Sequence, residues 1–503
     1  YKEPENFELE PGNPIVSEDK LFNKIPDLFD FRHRENYFID FNKERLLPFM
    51  TNNEGPAMTI ADINEDGMMD FFVGGAKGQT STIFVSKDDG TYFKEVAPFV
   101  EDINSEDTDA EFFDGDGDGD LDLFVSSGGK AFSENSRDLS DRYYINNGNG
   151  KYEKSDFSLP KYHHYSSSTV TTKDFDNDGD IDIFVGERLK VNCYGIPGSG
   201  YLFENQSDNK FVVSKQPNFH NLGLITDADW VDINEDGWFD LVVVGEWMPI
   251  TILMNEQGTF VNKTEEYGLK ESSGLWSSLK LDDIDNDGNI DIIAGNAGEN
   301  NFFKNGLKMY VNDFDKNGSM EQIICHKRDN LNYPIVDRDE LLSQLPYLKN
   351  KLLYFKDYEK ATMNSLFNKE IIKESLVSEA NHFKTTLFLN KKVKFSSFAL
   401  PREIQYSSVK AIETADVNND GVKDIIFGGN QYLVKPQFGR DEASKGWLLL
   451  GSQTDNNYHF KSAQNMGVSG QIRGLKIIER KGKKILISVI NNEKIQFHEI
   501  QNQ

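Results

Sequence analysis

Cysteine is almost missing from this chain: Cys193 and Cys325 are the only two in 503 residues. They leave open one pair or two free thiols, with free thiols the default, and they exclude a disulfide framework and a CxxC metal site. No stretch approaches the roughly 18 consecutive apolar residues of a membrane-spanning helix. Basic residues are scarce, 54 Lys and Arg against 83 Asp and Glu, for a formal charge of −29. No basic patch is interleaved with aromatics, which argues against nucleic acid as a partner. Sequence signatures of catalysis are missing too: there is no H-E-x-x-H, G-x-S-x-G or P-loop. The 8 histidines are scattered. His163-His164 is the one close pair, and without a spaced carboxylate it reads as a loop feature. No catalytic or organic-cofactor residue emerges.

What the chain has in abundance is aspartate in a fixed pattern. Seven copies of D-x-[D/N]-x-[D/N]-G-x-x-[D/E] begin at Asp62, Asp114, Asp174, Asp232, Asp283, Asp313 and Asp416. Positions 1, 3 and 5 offer side-chain oxygens, position 7 its carbonyl, and position 9 a closing carboxylate. Glycine at position 6 takes the backbone through a turn that a Cβ resists. Such an all-oxygen shell suits a hard cation with six to eight ligands, which points to calcium. The candidate ligands are Asp62, Asn64, Asp66, Met68 and Asp70; Asp114, Asp116, Asp118, Asp120 and Asp122; Asp174, Asp176, Asp178, Asp180 and Asp182; Asp232, Asn234, Asp236, Trp238 and Asp240; Asp283, Asp285, Asp287, Asn289 and Asp291; Asp313, Asp315, Asn317, Ser319 and Glu321; and Asp416, Asn418, Asp420, Val422 and Asp424. Up to seven calcium ions are expected, with the Asp313 loop the weakest site. Asp107, Asp109 and Glu111, just ahead of the second loop, read as a solvated acidic edge. Seven divalent ions would offset about half of the formal charge of −29, so folding should be linked to calcium.

An EF-hand closes its loop with Glu at position 12 between helices. Here closure comes at position 9 and strand-like runs follow, such as Ile183-Phe184-Val185-Gly186 and Ile425-Ile426-Phe427-Gly428. Further short strands complete each roughly 50-residue unit, for example Tyr143-Tyr144-Ile145-Asn146 and Phe211-Val212-Val213. Four antiparallel strands per unit make a propeller blade. The fold class is therefore all-β, a calcium-loop β-propeller of seven blades with eight left open. Residues 1–30 read as an extended tether and 31–503 as the propeller. Tyr37-Phe38-Ile39-Asp40-Phe41 is a candidate for closing the ring against the last blade. Residues 336–383 read as a helical insertion: Asp337 and Glu340 resemble a capping box, and Leu341, Leu345, Leu348 and Leu352 recur at helical spacing. Further helical stretches are expected at 358–367 and 369–380.

The loop-and-strand units resemble the FG-GAP/VCBS repeats of integrin-like propellers. Three stretches are similar to a narrower group, the UnbV-related surface lipoproteins of Bacteroidota: Glu54-Gly55-Pro56-Ala57, Val243 to Ile250, and Arg338 to Pro346. That resemblance implies a lipid anchor ahead of Tyr1, with Lys2-Glu3-Pro4-Glu5 as a surface-export signal, and no other contact with the membrane. It implies a place on the outer leaflet of the outer membrane, facing outward. The implied partners are an outer-membrane β-barrel transporter of the SusC/SusD kind and other surface lipoproteins, with glycan or peptide as further ligands. The leading reading is a non-enzymatic accessory subunit of such a transporter or assembly complex. The alternatives are an extracellular carbohydrate-active enzyme of lyase or dehydratase type, and an integrin-like adhesin. Rim candidates for ligand contact are Trp230, Trp238, Trp247, Trp276, Tyr432 and Arg440, each with blade packing as the competing explanation.

Overall fold

The computed structural model describes residues 21–52, 54–148, 150–155, 165–207, 210–303, 306–454 and 457–501. Residues 1–20 of the expected tether and the His163-His164 pair lie outside them. Six acidic loops each join the first two strands of an antiparallel sheet, and the register at the join is constant. Position 9 opens the second strand opposite the last residue of the first: Ala61 pairs Asp70, Phe113 pairs Asp122, Lys173 pairs Asp182, Val231 pairs Asp240, Asp282 pairs Asp291 and Ala415 pairs Asp424.

Seven propeller sheets are present, six of four strands and one, the fourth, with Gly274–Leu275 added as a fifth, and their first strands pack side by side around a central channel. These inner strands are Met58–Ala61, Asp107–Phe113, Tyr165–Lys173, Leu224–Val231, Ser278–Asp282, Val409–Ala415 and Ile472–Arg480. Each second strand is buried on both faces, as its unbroken apolar run requires. Phe71, Phe72, Leu123, Phe124, Ile183, Phe184, Leu241 and Val242 are all fully enclosed between neighbouring sheets. The acidic loops therefore share one face of the ring.

The ring closes differently from the sequence expectation. Phe22–Lys24 pairs with Gln496–Ile500 as the outermost strand of the seventh sheet. Phe29 stacks on Phe84 (ring centroids 4.1 Å apart) and meets Phe497 edge-on at 5.2 Å, which cements the last sheet to the first. Residues 21–30 thus belong to the propeller rather than to a tether. Tyr37 is fully exposed and Asp40–Asn42 forms a 3-10 turn, so that segment does not close the ring.

The chain leaves the fifth sheet after Asp291–Gly295 and returns at Thr386–Asn390. Between them lies an eighth sheet, Leu307–Asn312, Glu321–Arg328, Leu331–Pro334 and Leu376–Ala380, which carries the Asp313 loop. Short helices pack on it: Arg338–Gln344, Phe355–Tyr358, Met363–Leu366 and Lys369–Glu374. Asp337 caps the first by accepting from the Glu340 N–H at 2.9 Å. Leu341, Leu345, Leu348 and Leu352 are buried against this sheet as their spacing predicts. Residues 376–380 are a strand rather than helix: they pair with Leu307–Val311, whose unpaired edge supplies a stronger constraint than local helical propensity. Exit and return both occur at the end of the fifth sheet opposite its acidic loop, so the insert sits on the other face of the ring.

Candidate functional site

The acidic loops share one backbone design. Position 4 is left-handed in all seven (Glu65, Gly117, Asn177, Glu235, Asn286, Lys316 and Asn419), and so is the glycine at position 6, as at Gly179 with φ +100°. This double reversal turns amides inward. In the third loop the Gly179 N–H donates to Asp174 Oδ2 at 3.0 Å and the Asp180 N–H to Asp178 Oδ1 at 2.9 Å. Position 9 is anchored hardest. Asp182 Oδ2 accepts from the Phe175 N–H (3.1 Å) and Oδ1 from the Asn205 N–H on the third strand (2.8 Å). Asp240 repeats this with Ile233 and Asn255, and Asp291 with Ile284 and Asn390.

Three asparagines that the acidic pattern does not include recur at or next to the end of third strands. The Nδ2 of Asn205 donates to Gly115 O (2.8 Å) in the preceding blade's loop and to Ile181 O (3.1 Å) in its own. Asn255 does the same to Phe175 O (2.7 Å) and Phe239 O (3.1 Å), and Asn146 to Ile63 O and Leu121 O. Each amide is a strut between consecutive loops.

These loops have the donor set for a hard divalent cation. In four of them three carboxylates each bring one oxygen within 4.8 Å of the others: Asp114, Asp116 and Asp118; Asp174, Asp176 and Asp182; Asp283, Asp285 and Asp291; Asp313, Asp315 and Glu321. Asp174 Oδ1 and Asp285 Oδ1 are buried and lack a hydrogen-bond donor among the described residues, which fits oxygens meant for a cation. Without an ion, burial pushes Asp182 up to about 8, Asp240 and Asp291 to about 7, and Asp122 and Asp424 to about 6. The Asp313 loop keeps the full design, with burial raising Glu321 to about 7. Where position 3 is Asn, its amide donates to the position-5 carboxylate, as Asn234 does to Asp236 at 2.8 Å, which relieves repulsion. Lys391 Nζ lies 2.9 Å from Asp285 Oδ2, setting a competing cation beside the fifth loop.

Asp107, Asp109 and Glu111 are not a solvated edge. Asp107 is buried, accepts from the Gly75 N–H and Ser81 Oγ, and pairs with Arg142 at 2.5 Å. Asp109 and Glu111 line the central channel, where burial holds Glu111 near 8. The one-residue bulge at Thr108, invisible in a list of charges, takes Asp107 off the channel face that Asp109 and Glu111 share.

The rim candidates divide. Trp276 is fully buried beneath His382, Trp230 lies in the core, and Trp247 is buried with its Nε1 donating to Tyr194 Oη at 2.7 Å. Trp238 is half-buried on the fourth loop. Arg440 lines the mouth of the channel on the insert's face, and Tyr432 lies beneath it. There Arg440 stacks over the Tyr432 ring at 4.2 Å, and Arg440 lines a cavity together with Phe49, Phe302, Phe303 and Phe438. Its floor is an ionic cluster, Arg188 bonded to Glu54 (2.5 Å) and Glu246 (2.9 Å). Both cysteines are buried free thiols.

Three segments, residues 62–125, 114–185 and 232–294, match the FG-GAP-like repeat. No curated protein matches the chain. Similar solved structures include an Agrocybe aegerita lectin described as recognising non-reducing terminal N-acetylglucosamine, at 12% identity over 83% of this chain and 81% of that one, TM-score 0.42. The V. cholerae biofilm matrix protein Bap1 is similar at 9% identity over 96% and 91%, TM-score 0.37. The Dos1 propeller is similar at 9% identity over 92% and 98%, TM-score 0.40. The chain is a β-propeller in which three segments match FG-GAP-like repeats.

Proposed function

We propose that this chain is a calcium-clipped, non-enzymatic interaction module, serving as an accessory subunit of an outer-membrane transporter or assembly complex at the cell surface. The observation that carries the reading is the apolar surface of the insert. Leu353, Tyr354 and Phe355 are consecutive and exposed by 60%, 64% and 67%. Tyr347, Leu331, Leu376 and Val377 are exposed on the same insert. Eight of the sixteen exposed large hydrophobic residues among the described residues fall between 307 and 380. The consecutive exposed run Leu353-Tyr354-Phe355 is the kind of apolar surface that suits a protein-docking site. Calcium would fit the hard oxygen donors of the loops, and the anchored carboxylates and backbone turns that would surround it suit a structural role. Among the described residues the four carboxylate clusters all belong to repeat loops.

The test is native capture of the tagged protein from outer membranes in mild detergent and calcium, read by mass spectrometry. Stoichiometric recovery of a membrane β-barrel, lost in a Tyr354→Ser/Phe355→Ser variant of unchanged melting temperature, supports the reading. Recovery of the protein alone overturns it.

A further inference from the structure

The inner strands carry a one-residue bulge at the same depth in five blades, at Thr108, Ser168, Thr226, Lys410 and Arg473. The hydroxyls among them strap each blade to the next. Thr108 Oγ1 donates to Ser167 O (3.0 Å), Ser168 Oγ to Ile225 O (2.7 Å) and Thr226 Oγ1 to Trp276 O (3.1 Å). In the fifth blade Ser277 Oγ donates to Val409 O at 2.6 Å. Arg473 also bonds locally, through Nη1 to Asn430 O (3.0 Å) and Nη2 to Gln471 Oε1 (3.1 Å). Lys410 breaks the series. Its ammonium has no hydrogen bond or ion pair among the described residues, and it lines the mouth cavity. A bulge is a device for re-aiming a side chain, and here it aims a cation.

The surroundings define what that cation awaits. Three carboxylates share the mouth, and Asp109 and Asp227 line the channel beneath it with Lys410; each already has partners, Asp109 accepting from the Val170 N–H and Asp227 from the Leu279 N–H. Glu54 and Glu246 hold Arg188, while Asp441 accepts from Ser407 Oγ and from the Ser408 N–H at 2.8 Å. Two residues before Lys410, the hydroxyl of Ser408 lines the same cavity, buried and without a hydrogen-bond partner. One unpaired ammonium and one unpaired hydroxyl match the two oxygens of a carboxylate. Aromatic side chains line the rest of the cavity: Phe302 stacks on Phe438 at 4.1 Å and contacts Phe303 at 4.4 Å, and Phe49 shares the lining. The cavity measures about 120 Å³, close to the roughly 150 Å³ that takes up a benzene ring.

We propose that the channel mouth binds a small carboxylate with a phenyl-sized apolar body, its oxygens on Lys410 Nζ and Ser408 Oγ and its body against Phe49, Phe302 and Phe438. A free aromatic acid and the C-terminal residue of an extended peptide present the same chemistry. Burial lowers the Lys410 pKa from the ordinary lysine range, and a bound anion would raise it. This site is independent of the docking surface on the insert.

Isothermal titration of the calcium-loaded protein with 3-phenylpropionate and with 3-phenylpropionamide tests it. The acid should bind at least tenfold more tightly than the amide. Lys410→Met should erase that preference without changing amide binding, and Lys410→Arg should keep it. If Lys410→Met fails to fold, Ser408→Ala should narrow the acid-to-amide ratio at an unchanged melting temperature. No acid binding at millimolar concentration, or equal binding of acid and amide, overturns the proposal. A peptide ending in a free Phe carboxylate is the second arm. Tighter binding than 3-phenylpropionate assigns the site to peptide termini, and weaker binding assigns it to free acids; either supports the site.

Discussion

Replacing Asn255 by Ala should be among the costliest single-atom-group deletions in the propeller, although the residue touches no candidate ligand position directly with its side chain. The side chain is 1% exposed. Its Nδ2 donates to Phe175 O at 2.7 Å and Phe239 O at 3.1 Å, and its Oδ1 accepts from the Gly258 N–H at 2.7 Å. Alanine removes all three bonds and leaves three backbone groups to find partners, at about 1 kcal/mol net each, so about 3 kcal/mol in total. Asn205 makes two such donations, and its Oδ1 has no partner, so Asn205→Ala strands less and should cost about 1–2 kcal/mol. The assay is urea unfolding in excess calcium, read as a shift of midpoint at unchanged slope. A loss below about 0.5 kcal/mol for Asn255→Ala, the scale of an ordinary surface change, would refute the strut. So would a larger loss at Asn205 than at Asn255.

Chelation should lower the melting temperature sharply and turn its pH dependence around. In the metal-free fold Asp182, Asp240 and Asp291 sit at about 7 to 8, above the roughly 3.9 of an unfolded aspartate. Their contribution is therefore complete below about pH 4 and is lost as pH rises towards 8. With calcium bound the slope should reverse, because the ion needs the charged form; identical melting profiles in EGTA and calcium would exclude the linkage. Arg188→Met should cost about 3–5 kcal/mol by stranding two carboxylates, measured by the same unfolding assay, with a near-neutral result showing that Glu54 and Glu246 find other partners. Phe29→Ala should cost about 3–5 kcal/mol and open the first and seventh blades to early hydrogen exchange, whereas uniform exchange would show that the ring does not close there.

The repeat could be read from the chain because its chemistry is local. A nonapeptide with fixed glycine and acid positions dictates its own turn, and the constant pairing of position 9 with the end of the inner strand follows from hairpin geometry. Closure could not be read that way: Phe22–Lys24 and Gln496–Ile500 meet from opposite ends of the sequence, and an extended, proline-flanked segment looks alike as tether or edge strand. The insert was half legible. Leucine spacing announced helix Arg338–Gln344, while Leu376–Ala380 became a strand only because Leu307–Val311 offered an edge. Channel residues were least visible. Lys410 lies in an ordinary strand sequence, and only the bulge and the satisfied state of Glu54, Glu246 and Asp441 give it a distinct role. Tryptophan was a poor guide to the rim, since its size draws Trp230, Trp247 and Trp276 into the core.

Calcium titration of the chelated, refoldable protein, read by native mass spectrometry against magnesium, tests the central claim most directly. The account predicts at least four calcium ions on the chain, one for each carboxylate cluster, rising towards seven as the Asn-containing loops fill, with magnesium failing to substitute. A protein that folds to the same melting temperature without calcium, or that takes up no ions, would contradict it.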